Sequence, residues 1–196
     1  ENGTVYAVMK NISCITMGEF LKKNGGSLKW EQARALFLPL IDTVKGMNDQ
    51  GIVHGGISSS TVLVGRDGKL RLSGYGIKKL RRKNSEIEPE LMSGFAAIEQ
   101  YVTDKMSIGS YTDVYALSVL LFNVLVGTVP PDATERIKND SMTIPARFAE
   151  ELPRHVLSAL ANGLQVLPQN RTENVEIFKN ELVYGETNED RAHRDE

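Results

Sequence analysis

The chain has 196 residues, of which 41% are apolar and 24% charged, the composition of an ordinary folded protein with a buried core. Its net charge of −2 argues against nucleic acid as a partner, and its single cysteine, Cys14, excludes an intrachain disulfide and fits a reducing, cytoplasmic setting. The longest apolar run, residues 114–126, is too short to span a bilayer and is interrupted by Asn123, so no membrane contact is expected of this segment.

In chain order, TVYAVMK (4–10) alternates and is rich in β-formers, which predicts a strand, though an orphan one with no neighbouring partner. No basic start and apolar core mark a signal peptide there. Thr16 stands three residues before Glu19, the spacing of a capping box, and predicts a short helix over ITMGEFLKK that the Asn24-Gly25-Gly26 run ends. From Trp30 to Gln50, apolar Ala33, Phe37, Leu40, Val44 and Met47 recur at alternating steps of four and three, an amphipathic helix closed by Gly51. Pro39 lies inside it and predicts a bend.

TVLV (61–64) and KLRL (69–72) flank Asp67-Gly68, a β-hairpin signal. Residues 77–94 have no clean period and read as a long loop. The run 114–126 predicts a buried helix stopped by Gly127 and followed by Pro130-Pro131. Two further helices are predicted over 153–165, on Val156, Leu160 and Leu164, and over 174–183, on Val175, Phe178 and Leu182. The tail from 185 to 196 is polar and charged and reads as disordered. The order gives an α+β chain that is mainly α.

Taken in sequence, these pieces converge. A long helix leads into VHGGISSSTVLV (53–64), then the hairpin, Ser73-Gly74-Tyr75-Gly76, a long loop, FAAIEQ (95–100) and TDVYALSVLL (112–121). That order, and the spacings from His54 to Thr61 and from Gly74 to Glu99, resemble the C-terminal lobe of a eukaryotic-like Ser/Thr protein kinase, most nearly of the bacterial branch. The resemblance covers about residues 4–183. It implies a protein-kinase-like C-terminal lobe over 12–184, with residues 1–11 as the last strand of the N-terminal lobe and the hinge around Met9, Lys10 and Asn11. The Gly-rich loop, phosphate-contacting Lys and helix Glu of that lobe do not occur in the sequence, so it reads as part of a longer chain.

Phosphoryl transfer in this family needs an Asp near the attacking hydroxyl and side chains that hold Mg²⁺ against the phosphates. At the three corresponding positions stand Gly56 for the catalytic Asp, Thr61 for the metal-binding Asn and Gly74 for the metal-binding Asp. Asp67 is the nearest acid, at a hairpin turn expected to point away, and Glu86, Glu88 and Glu90 lie on the long loop. No catalytic residue and no metal ligand are therefore assigned. Structural positions persist: His54, Gly76, Glu99, Asp113 and Arg171. The resemblance implies a Glu99–Arg171 pair anchoring the loop segment, and Asp113 accepting backbone N–H bonds from the His54 loop.

What this implies is a pseudokinase: a catalytically inactive module that binds a protein partner or regulates one. The alternative is a phosphotransferase with an unorthodox metal arrangement, and a third reading is a nucleotide sensor without turnover. No cofactor is expected of this chain; ATP is possible in an intact parent, with Mg²⁺ weak or absent, and that parent could be membrane-anchored. Simpler readings accompany single residues. His54 reads as a packed core histidine, Ser58–Ser60 as a polar turn, 78–83 as a solvated basic face, Ser85 and Ser93 as loop residues, and Cys14 as a small half-buried side chain.

Overall fold

In the computed structural model the described residues are 12–74, 91–102 and 105–184. The expectations for the strand at 4–10, the hinge at Met9, Lys10 and Asn11, for Gly76, Ser85, the basic run and the tail lie outside them. The fold is built around one apolar helix. It is mainly α-helical, with a small antiparallel sheet.

Strand β1 (Cys14–Thr16) runs directly into helix α1 (Met17–Lys23). The Thr16 hydroxyl caps the Glu19 N–H at 3.1 Å, and the Glu19 carboxylate returns to the Thr16 N–H at 2.9 Å, so two of the orphan donors at the helix start are satisfied. Asn24 ends the helix. Helix α2 (Trp30–Asp49) follows and continues through Pro39. It buries Trp30, Ala33, Phe37, Leu40, Ile41 and Val44, the face that the three-and-four spacing outlines.

Strands β2 (Val62–Gly65) and β3 (Leu70–Leu72) form the hairpin around Asp67-Gly68. Gly68 takes φ +72°, the left-handed region that glycine reaches without strain. The hairpin is not alone. β1 pairs antiparallel with β2, Ile15 opposite Val64, which gives a three-stranded sheet in the order β1-β2-β3. Three residues are too few to carry an alternating pattern, so β1 has no signature of its own in the sequence.

Helix α3 (Ser110–Val126) is the centre of the fold, with almost every side chain from Thr112 onward buried. It starts four residues before the apolar run, because its first turn is polar, and ends at Gly127 with φ +85°. Around it pack α2, α6 (Arg154–Gly163) and α7 (Val175–Tyr184). Two short helices between α3 and α6, α4 (Ala133–Arg136) and α5 (Ala146–Glu151), are additions to the expected pair. A helix buried on all sides has no amphipathic face and needs neighbours on every flank. Those neighbours fix where the first turn of α3 points.

Candidate functional site

The first turn of α3 carries Asp113, fully buried, and its carboxylate gathers three donors. Oδ2 accepts the His54 N–H and the Asn48 side-chain amide, each at 2.9 Å, and Oδ1 accepts the Gly55 N–H at 2.8 Å. Burial pushes the Asp113 carboxyl above its ordinary range, while the bonds from Gly55, Asn48 and His54 pull it back. Asn48, at the end of α2, extends this hub. Its amide also reaches the Ile52 carbonyl at 3.0 Å and its carbonyl oxygen accepts from the Ser110 hydroxyl at 2.5 Å. The Ser110 oxygen in turn accepts the Val175 N–H at 3.1 Å, so the starts of α3 and α7 and the end of α2 meet at one point.

Hung on that hub is the loop 53–61. His54 is 7% exposed. Its Nδ1 accepts the Gly56 N–H at 3.2 Å, which places the ring proton on Nε2, and Nε2 donates to the Ser73 carbonyl at 3.1 Å. Gly55 has φ +62°, a backbone that a β-carbon resists, and its carbonyl accepts from the Gln100 amide at 2.8 Å. Gly56 is different: its φ is ordinary and a β-carbon there would meet nothing closer than His54 Nδ1 at 3.8 Å. The position has room for a β-carbon and carries none.

Thr61 closes the loop from within. Its hydroxyl donates to the Gly56 carbonyl at 2.7 Å and accepts the Ser58 N–H at 2.9 Å. Ser58 is buried, its hydroxyl 2.9 Å from that of Ser60 and 3.1 Å from that of Thr61, so the serine run is a hydrogen-bonded polar turn. From the end of β3, the Ser73 N–H and hydroxyl both reach the Thr61 carbonyl at 2.8 Å. Gly74 follows with φ +81°, and a β-carbon on it would sit 3.3 Å from the Thr61 methyl. Gly56, Thr61 and Gly74 thus bring no carboxylate to the loop 53–61 or to the end of β3.

Behind the loop lies the second anchor. Arg171 and Glu99 pair in two bonds, Nη1 to Oε1 at 2.7 Å and Nη2 to Oε2 at 3.2 Å, with both side chains fully buried. The remaining guanidinium protons go to the carbonyls of Gln165, Tyr111 and Val166 at 2.8, 2.9 and 2.7 Å, so all five donors are used. The guanidinium lies over the Tyr115 ring, 4.8 Å from its centroid. Thr112 adds a hydroxyl bond to Glu99 at 2.9 Å, which joins this pair to the turn that carries Asp113.

The segment 91–102 has another tie. Asp132 caps α4 through Thr134, and its Oδ2 accepts the Tyr101 hydroxyl at 2.6 Å and the Gly94 N–H at 3.4 Å. Burial raises the Asp132 carboxyl, but the Tyr101 and Thr134 bonds outweigh it and hold it at about 2. Burial first, then the hydrogen bond to Asp132, pushes the Tyr101 phenol up. Asp67 is spent on Arg71, 2.7 Å away at the hairpin turn, and that bond, helped by the Lys69 N–H, keeps its carboxyl well below the usual range. Ser93 is exposed and Cys14 half-buried.

The structure therefore brings His54, Gly56, Thr61, Gly74 and Asp113 around one loop, and Glu99 and Arg171 behind it. Gly76, Met9, Lys10 and Asn11 lie outside the described residues. Asn48 is a part of the site outside every motif quoted above, and Ser73, Gln100 and Thr112 lie inside such motifs with no role assigned to them, since each acts on a residue far along the chain through an ordinary amide or hydroxyl group. Among the described residues, no three His, Cys, Asp or Glu side chains cluster to hold a metal ion, and no helix is long and apolar enough to cross a membrane.

With this geometry in place, comparison with known proteins is direct. The protein kinase domain family matches residues 1–183, and the chain belongs to it. Sperm motility kinase 3A of Mus musculus is 28% identical over 157 residues, 76% of this chain and 30% of that protein. The protein named Probable serine/threonine-protein kinase PknB of Lactococcus lactis is 23% identical over 188 residues, covering 91% of this chain and 29% of the relative. A probable serine/threonine-protein kinase of Clostridium perfringens is 22% identical over 85% of this chain and 25% of its own length. The chain thus spans less than a third of these relatives. Among solved structures, the apo form of PpkA-294 superposes with a TM-score of 0.76 at 25% identity, over 89% of this chain and 61% of that one.

Proposed function

We propose that this chain is a catalytically inactive protein-kinase-like module that works by binding a protein partner, as a scaffold or an allosteric regulator. The observation that carries the proposal is the loop 53–61: its start is held by Asp113, yet it offers Gly56 and Thr61, and beside them Gly74, where transfer chemistry in this family uses carboxylates and an amide. Mg²⁺ takes hard oxygen ligands, usually one or two of them carboxylates. Gly56 and Gly74 supply no side-chain oxygen, and the only hydroxyl proton and one lone pair of Thr61 are engaged inside the loop. These residues do not fit the ion. Without an orienting carboxylate and metal ligands, the stabilisation lost is several kcal/mol of barrier, on the order of a thousandfold or more in rate.

The frame supports a binding role. Glu99 pairs with Arg171 and Asp113 holds the start of the loop, so the proposed partner meets a braced surface. The parent protein is cytoplasmic in this proposal, and its relatives' greater length leaves room for further domains or an anchor.

A melting titration of the full-length protein with ATP, with and without Mg²⁺, tests the proposal. Ligand that binds the native state at a hundred times its Kd adds about 2.7 kcal/mol of stability. The expected result is no Mg²⁺-dependent rise in Tm. A rise that needs Mg²⁺ contradicts the proposal and favours a phosphotransferase with an unassigned metal ligand, whereas a rise with ATP alone assigns a nucleotide-sensing role.

A further inference from the structure

Between α4 and α6 the chain leaves a pocket of about 530 Å³, inside the range of roughly 300–1,000 Å³ that small-molecule sites occupy. The sequence accounts for the space. Over 141–145 burial alternates, so Met142 and Ile144 turn inward against the core while Ser141, Thr143 and Pro145 are exposed. The α5 helix that follows has no fully buried residue, and α6 spends Val156, Ala159 and Leu160 on the core. Leu157 and Ala161 are left as wall of the pocket together with Met142 and Ile144, and the alanines at 149 and 161 are too small to close it.

The charged pair in its wall is unequal. Arg136 donates from Nε to Asp140 Oδ1 at 3.0 Å and from Nη2 to Oδ2 at 2.9 Å. The Arg136 side chain is only 4% exposed, and it is fixed from behind, Nη1 donating to the Tyr115 hydroxyl at 3.1 Å and Nη2 to the Leu164 carbonyl at 2.8 Å. The Asp140 side chain is 43% exposed, and its further bond is from the Met142 N–H at 3.2 Å. The cation is therefore built in and the carboxylate on it is the part that can leave. Any planar carboxylate fits the same guanidinium fork, and an exchange of one for another never leaves the buried charge unpaired. A carboxylate on an apolar body also covers Met142, Ile144 and Leu157, which the short Asp140 side chain leaves as pocket wall. We propose that this pocket binds a small apolar carboxylate, which takes the Arg136 fork while Asp140, its internal competitor, swings into water. None of the lining residues lies in the loop 53–61, in β3 or in 91–102, so the site stands whether or not the module transfers phosphate.

Calorimetric titration of the full-length protein, without nucleotide, tests the site with octanoate and with octanol, the same body lacking the charge. Octanoate is expected to bind about tenfold more tightly than octanol, or better. A competitor that holds the fork about nine-tenths of the time weakens the apparent affinity about tenfold. Asp140→Asn holds the fork less firmly, and is expected to tighten octanoate by up to about tenfold while leaving octanol within about twofold. Ala161→Phe fills the pocket from an exposed position, and is expected to weaken octanoate about tenfold or more at an unchanged Tm. Equal binding of octanoate and octanol, no tightening in Asp140→Asn, octanoate held by Ala161→Phe as by the natural protein, or no octanoate binding at all overturns the site and leaves the inactive reading where it is. Phosphate transfer by the natural protein would overturn that reading and leave the site.

Discussion

Two regions of this molecule, a few residues apart in space, have been treated in opposite ways. Behind the loop, Glu99 and Arg171 are wholly buried and every guanidinium proton has an acceptor. In front of it, Gly56 has an ordinary φ, a β-carbon there would meet only ordinary contact with His54, at 3.8 Å, and still it carries no side chain. Burying two charges is expensive and is tolerated only with complete hydrogen bonding, so the rear anchor cannot drift without loss of the fold. Of the front positions only Gly56 is this loosely held; Thr61 is tied by hydrogen bonds and Gly74 by its left-handed backbone. In this chain the frame is kept apart from the positions of the chemistry: Asp113 on α3 holds the start of the loop and Arg171 holds Glu99, and neither bond depends on the side chain at 56 or 74.

The largest effect that sharpens this contrast belongs to the rear. Arg171→Ala leaves Glu99 buried without its counter-charge, a change that costs about 3–5 kcal/mol and lowers the Tm of this unit by on the order of 10 °C. Replacing both partners with methionine is expected to cost less than removing Arg171 alone, and calorimetry of the three variants checks it. Next comes Asp113→Asn, which exchanges one acceptor oxygen for a donor facing the N–H groups of His54 or Gly55. It is expected to destabilise by about 1–3 kcal/mol and to raise exchange at those two amides before any other.

Within the front region the contrast repeats on a smaller scale. Gly74→Ala forces a β-carbon onto φ +81° and toward the Thr61 methyl 3.3 Å away, at a cost of about 1–2 kcal/mol. Gly56→Ala meets neither obstacle and is expected to stay within about 0.5 kcal/mol by denaturant titration. Equal costs at the two glycines would mean that the loop has no room at 56 after all.

The smallest effect is on pH. Asp132 titrates at about 2 against an ordinary 3.8, so its bonds to Tyr101, Gly94 and Thr134 add stability that is complete above the ordinary value and is lost as pH falls through about 2. Asp132→Asn is expected to flatten the fall of Tm between roughly pH 4 and 2, with little change in slope at neutral pH.

Much of this is legible in the sequence. The Thr16–Glu19 spacing gives α1, Asp67-Gly68 gives the hairpin, and the apolar run gives the core of α3, because each signal is local. What is not legible depends on distant partners. β1 takes its identity from pairing with β2 nearly fifty residues later, and Asn48 matters only because α2 ends beside Ser110 and Asp113. Gln100 is a plain amide until the left-handed Gly55 turns its carbonyl toward it. At the site itself, the missing carboxylates are plain from the residue types alone. That Thr61 ties the loop shut is visible only in the fold.

The most direct test is transfer of labelled phosphate from γ-labelled ATP, with Mg²⁺ or Mn²⁺, by the full-length protein onto itself and onto a generic Ser/Thr substrate. Gly56→Asp serves alongside it as a variant that places one carboxylate at a position where a β-carbon meets nothing closer than 3.8 Å. The expected result is no transfer above the uncatalysed background for the natural protein, and none for Gly56→Asp, since Thr61 and Gly74 still offer no metal ligand. Sustained, Mg²⁺-dependent turnover by the natural protein would contradict the account.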